Sequence, residues 1–135
     1  MRFSLGMLWY VAIGSAVGGV IRYLLGGAIQ RALAASFPLG TLVINVTGSA
    51  LLGFILRYAL ETPAVTPEIR ALLGIGFCGG YTTFSTFSYE TLTLLEDGDW
   101  RRAGLYVGVS LLGSVLAAFL GFMAARELIA LRTRL

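Results

Sequence analysis

The residues able to do chemistry in this 135-residue chain are hydroxyls, one amide, one guanidinium and a pair of rings, all set inside apolar runs. Asn45 lies near the middle of "GTLVINVTGSALLG", and Thr41 and Ser49 sit four residues to either side on the same helical face. Tyr106, Ser110 and Ser114 repeat every four residues in "GLYVGVSLLGSVLAAFLG" and form a hydroxyl stripe, about 12 Å long at ~1.5 Å rise per residue. Phe84 and Phe87 are three apart in "GIGFCGGYTTFSTFSYE", hence neighbours on one helix face. Arg22 follows Gly14 and Gly18 and precedes Gly26, all at steps of four. These groups offer hydrogen-bond donors, and the rings offer edges of partial positive charge. That is the chemistry of a path for an anion. A path for cation export would need a carboxylate deep in a span, and the innermost one, Glu90, falls toward the end of its run.

Each feature also has a purely architectural reading. A buried Asn amide holds helices together across an interface. A single serine often bonds only its own helix backbone. The glycine steps beside Arg22 make a packing seam, and the arginine itself can reach back to the membrane surface. The phenylalanine pair taken alone fits a core or a lipid-facing surface. Three hydroxyls in register are harder to explain by packing.

The elements that must carry these residues follow from composition. Hydrophobic residues make up 57% and charged residues 13% of the chain, against roughly 45–50% and 25% in soluble domains. One small domain could not bury so much apolar surface. All ten basic residues are arginine, spread along the chain without a cluster suited to nucleic acid. The chain has no histidine and one cysteine, Cys78, so zinc chemistry, histidine acid–base catalysis and a disulfide framework are not expected, and the chain reads as a non-enzyme. Residues 3–21, 32–56, 71–89 and 103–125 lack Asp, Glu, Lys and Arg, each near or above the ~18 residues of a membrane span. The chain therefore reads as one all-α membrane domain over 1–135, with four helices at about 7–31, 39–60, 68–95 and 103–126. The linkers "SFP", "ETPAVTP" and "EDGDW" hold all three prolines and most of the acids. Trp9, Tyr10, Tyr58 and Trp100 fall near the expected interfaces. The first apolar segment is too long for a cleaved leader and contains Arg22, so it is expected to remain.

The third helix, if continuous, is longer than a span needs. As one helix, 68–95 would run about 42 Å, beyond a ~30 Å hydrocarbon core. "CGGYTT" puts two glycines and two β-branched residues near its middle, so a break is expected between Gly79 and Thr83. Unwound backbone at that depth is tolerated where it is buried in protein or lines an ion site. A continuous helix with glycines used only for packing is the alternative. Arginines divide weakly between the two sides: Arg2, Arg57, Arg70, Arg126, Arg132 and Arg134 on one, Arg31, Arg101 and Arg102 on the other. So slight a bias fits either termini in the cytoplasm or insertion in both orientations.

"GFCGGYTTFSTFSYE" resembles the signature of the small bacterial fluoride channels, the Fluc or CrcB family, and "GTLVINVTGS" and "GGVIRYLL" resemble its second- and first-helix motifs. The resemblance covers essentially the whole chain. It implies a dual-topology antiparallel homodimer in the bacterial cytoplasmic (inner) membrane, in contact with the lipid bilayer, with two pores that pass fluoride out passively. It implies a sodium ion at the dimer centre on the backbone carbonyls of Gly79 and Thr82. It places Asn45, Phe84, Phe87, Tyr106, Ser110 and Ser114 on the fluoride pathway, with Thr41 on the same helix-2 face. Ser85, Thr86 and Glu90 fall toward one end, and Arg22 near a vestibule. Fluoride itself rests on this resemblance; the residues alone point to a broken helix beside a donor-rich route. The competing class is a small four-span coupled transporter, an ion or drug antiporter, which would call for a deep acidic residue.

Overall fold

The computed structural model of the chain describes residues 5–34 and 36–134, and all regular structure among them is helical. Helix α1 spans Leu5–Leu33 and α2 spans Leu39–Glu61. The third passage is composite. It runs as α3 (Pro67–Arg70), a π-helical segment (Ala71–Cys78) and α4 (Gly79–Tyr81), and after an interruption resumes as α5 (Phe84–Glu96). Helix α6 spans Trp100–Arg132. Of these, α1, α2 and α6 are each long and apolar enough to cross a membrane unaided. The 33 residues of α6 extend about 50 Å, well past a ~30 Å core, so this helix outruns the expected 103–126 at both ends.

The local chemistry of each end is legible. Thr66 caps α3 by accepting from Ile69 N–H, and Pro67 takes the first helical position, where its missing N–H costs nothing. Asp99 caps α6 by accepting from Arg102 N–H at 3.2 Å. Between α5 and α6 the chain turns at Gly98, whose φ of +76° lies in the left-handed region that glycine enters without a Cβ clash.

The interruption falls at Thr82 and Thr83, which are extended (φ/ψ −80/159° and −150/113°). It is narrower than the sequence suggests, because Gly79–Tyr81 stay helical and Thr82 N–H still donates to Cys78 O at 2.9 Å. The departure from α geometry instead extends backward, into the π-helical turns of "ALLGIGFC".

Glycines set how the passages pack. A Cβ at Gly14 would collide with the carbonyl of Leu72, and one at Gly18 with the carbonyl of Phe77. From the other side, a Cβ at Gly80 would collide with the carbonyl of Ser15. The glycine seam of α1 is thus a backbone-to-backbone crossing with the first half of the third passage, and Ser15 Oγ donates across it to Gly76 O at 3.4 Å. A second crossing joins α2 to α6, where Gly53 faces Ala118 O and Gly121 faces Ala50 O, again without room for a methyl group. Such close approach gives van der Waals contact where lipid supplies no hydrophobic drive.

Substituting alanine at Gly53 or Gly121 should push α2 and α6 apart, a cost of about 1–3 kcal/mol by analogy with overpacked cores. Each variant is expected to lower the thermal unfolding midpoint in detergent, whereas Gly104→Ala, with open space around its Cβ, should not. Equal midpoints for all three variants would show that the crossing is loose.

Candidate functional site

The interruption is held by a side chain. Asn45, in the second turn of α2, donates from Nδ2 to Thr83 O at 3.0 Å, and Thr83 N–H donates to Asn45 Oδ1 at 2.7 Å. Thr83 in turn caps α5: its Oγ1 accepts from Thr86 N–H at 3.2 Å and meets the hydroxyls of Ser85 (3.2 Å) and Thr86 (3.0 Å). Two donors are thereby diverted. A continuous helix would aim Thr83 N–H at Gly79 O and Thr86 N–H at Thr82 O; here both are engaged elsewhere.

Two clefts flank Thr83. The first, about 280 Å³, lies between α2, the start of α5 and α6. Its polar lining is Asn45, Ser49, Thr82, Thr83, Ser110 and Ser114, and Phe84 and Phe87 contribute the rings. Those rings are 5.5 Å apart between centroids, and Phe84 is 79% exposed in the single chain. Ser110 is buried, and its Oγ has no hydrogen-bond partner among the described residues. A buried hydroxyl left unpaired costs about 1–3 kcal/mol, so such a group marks a place where a ligand or water belongs.

The second cleft, also about 280 Å³, lies between α1, α2 and α5. Arg22, Thr41, Thr83, Thr86 and Glu90 line it with Tyr23 and Gln30. Arg22 is half-buried, and its Nε has no partner among the described residues. Glu90 is fully engaged: Oε1 accepts from Thr41 Oγ1 at 2.9 Å and Oε2 from Tyr106 OH at 2.6 Å. The shorter bond falls in the range of charge-assisted O–H···O⁻ contacts.

The structure therefore sorts the residues expected from the sequence. Asn45, Phe84, Phe87, Ser110 and Ser114 meet in the first cleft, and Arg22, Thr41, Thr86 and Glu90 in the second. Tyr106 departs from its serine stripe. It is fully buried, its hydroxyl turns to Glu90, and its ring packs on Phe87 (5.2 Å) and Phe37 (5.4 Å). Ser85 lines neither cleft and touches Thr83 Oγ1 instead. Asn45 both faces the cleft and glues helices, so its two readings were never exclusive.

Sequence reasoning missed Thr83 as the hub. Its signal was available: a threonine directly before a helical run is a common N-cap. It also missed Gln30, which fastens the α1–α2 turn by donating to Phe37 O and accepting from Gly40 N–H, both at 3.0 Å.

The sequence finds counterparts among known proteins. Residues 9–122 match the family model described as CrcB-like protein, Camphor Resistance (CrcB). A protein named fluoride-specific ion channel FluC from Geobacter sulfurreducens is 48% identical over 118 residues, covering 87% of this chain and 95% of that one. One of the same name from Paramagnetospirillum magneticum is 49% identical over 123 residues, covering 88% and 96%. A third, from Shewanella baltica, is 47% identical over 115 residues, covering 84% and 91%. With the family model matching residues 9–122 and relatives this similar over most of both chains, the chain belongs to the CrcB family.

Proposed function

We propose that this chain is a fluoride-specific ion channel that lets fluoride leave the cytoplasm passively across a bacterial cytoplasmic membrane. The relatives' names supply the ion, and the first cleft supplies the chemistry. The observation that carries the reading is the unpartnered, buried Ser110 hydroxyl, set in a cleft with Ser114, Asn45 and two phenylalanine rings.

A small anion entering this cleft must exchange its water for protein donors. Ser110 and Ser114 can each turn an O–H toward it, and the second N–H of the Asn45 amide remains after the bond to Thr83 O. Phe84 and Phe87 can present their edges, where the ring quadrupole is positive. None of these carries full charge. Conduction needs binding strong enough to strip water and weak enough to release the ion, and neutral donors meet both demands better than a fixed cation in mid-path. Arg22 in the neighbouring cleft provides a positive field without sitting among those donors. No catalytic step is involved. A coupled-carrier reading would fall to Glu90, but both of its oxygens are held by hydroxyls.

The family also implies a central sodium ion, and the residues fit one. Among the described residues no three of His, Cys, Asp and Glu converge, so the ligands would be backbone oxygens. Gly79 and Thr82 have carbonyls whose helical donors are diverted, and among the described residues nothing beyond its own helix and chain neighbours comes within 4 Å of a Cβ placed on Gly79. That open side suits a second copy of the chain. An antiparallel pair would bring two such carbonyl sets together, and Phe84, exposed on one chain, would gain a cover. Sodium there would neutralise carbonyl dipoles left unpaired in the membrane.

Ser110→Ala, Phe84→Ile and Phe87→Ile should each cut fluoride efflux from liposomes at least tenfold with unchanged elution on size exclusion. The two isoleucine changes conserve volume, so their stability cost should stay below about 1.5 kcal/mol. Wild-type efflux in all three well-folded variants would leave the cleft as packing only.

Lysines added to the loop at 61–67 should bias insertion toward one orientation. Efflux should then fall, and co-expression with a version biased by lysines at 97–99 should restore it. Full efflux from one locked version alone would contradict an antiparallel pair.

A further inference from the structure

We infer that Asn45 is a positioning residue for the backbone carbonyls of the interruption, and through them for the monovalent cation, apart from any contact it makes with an anion. The inference rests on the sodium reading above. In an unbroken helix the Thr83 N–H would close on Gly79 O. Asn45 Oδ1 takes that N–H at 2.7 Å, while Asn45 Nδ2 binds Thr83 O at 3.0 Å. The side-chain amide thus pairs with one extended residue from both sides, as a neighbouring strand would.

The adjacent turn of α2 grips the same place. Gly48 admits the Thr82 methyl group and the Tyr81 ring into space a Cβ would occupy. Thr47 Oγ1 lies 2.9 Å from Tyr81 OH, and Tyr81 is buried. The residues before, at and after the turn from helix to extended chain are therefore all fastened to positions 45–48.

Removing Asn45 leaves Thr83 N–H and C=O without these partners. In helical geometry the acceptor for that N–H is Gly79 O. Taking it would lengthen α4 by one residue and withdraw one of the two carbonyls proposed for the cation. An apolar residue at 45 is thus expected to weaken cation binding, an effect that an anion-contacting role alone would not produce.

The test is the thermal unfolding midpoint of the purified protein in detergent, with NaCl replacing N-methyl-D-glucamine chloride at constant ionic strength. Sodium should raise the wild-type midpoint. Asn45→Leu should need at least tenfold more sodium for the same rise. Asn45→Ser, which breaks both bonds without adding apolar bulk, carries the same expectation should the leucine variant not fold. Gly121→Ala, which strains the α2–α6 crossing without touching these bonds, should lower the midpoint yet keep the wild-type sodium dependence. A wild type indifferent to sodium overturns the sodium reading and this inference with it. A sodium-dependent wild type whose Asn45 variants respond equally overturns the positioning role alone. Equal loss in Gly121→Ala also overturns it, as general loosening.

Discussion

Hydrocarbon offers nothing for an N–H or C=O to bond, so every backbone group placed there must find a partner within protein. This constraint governs the molecule at Thr82 and Thr83, where the third passage leaves helical geometry. Asn45 answers it with both ends of one amide, and the Thr83 hydroxyl answers it for the first turn of α5. Both replies come from within a few ångströms, which is why the interruption is only two residues long. The glycine crossings have the same origin. Gly14, Gly18 and Gly80 bring α1 onto the backbone of the π-helical segment and α4, and Gly48 admits the interruption itself.

Once the interruption is fixed, the two clefts follow. The direction of α5 carries Phe84 and Phe87 toward α6, where Ser110 and Ser114 face them. One and two turns beyond Thr83, Thr86 and Glu90 face α1 and α2. Glu90 does not act as a free charge in this arrangement, because Thr41 and Tyr106 both spend their hydroxyl protons on it. Tyr106 then anchors the Phe87 ring from behind. The acid is a structural post between α2, α5 and α6, and the buried hydroxyl left without a partner, Ser110 Oγ, belongs to the first cleft.

Much of this was legible in the sequence. Charge-free runs located the passages, prolines and acids located the turns, and "GGYTT" located the interruption. Those signals are local: burial of charge, missing N–H groups and backbone freedom are decided by the residue itself. What escaped was decided between helices. Periodicity put Tyr106 in line with Ser110 and Ser114, but it could not show that Glu90 would stand opposite the tyrosine and take its hydroxyl. It put Asn45 mid-span but not against Thr83. The π winding of Ala71–Cys78 carries no compositional mark, since the same glycine-rich run would also suit an α-helix packed closely on α1. The ends of α6 escaped for a simpler reason: charged residues mark where hydrocarbon stops, while the helix continues past it.

Under the proposed function, neutral donors around a fixed interruption suffice to pass fluoride, with no coupled proton and no moving carboxylate. The most direct measurement is the reversal potential of current through the purified protein in a planar bilayer, under a fluoride gradient with and without an opposing pH gradient. Reversal at the fluoride equilibrium potential, unmoved by the pH gradient, is the predicted result. A reversal potential that shifts when the proton gradient is imposed would contradict the account.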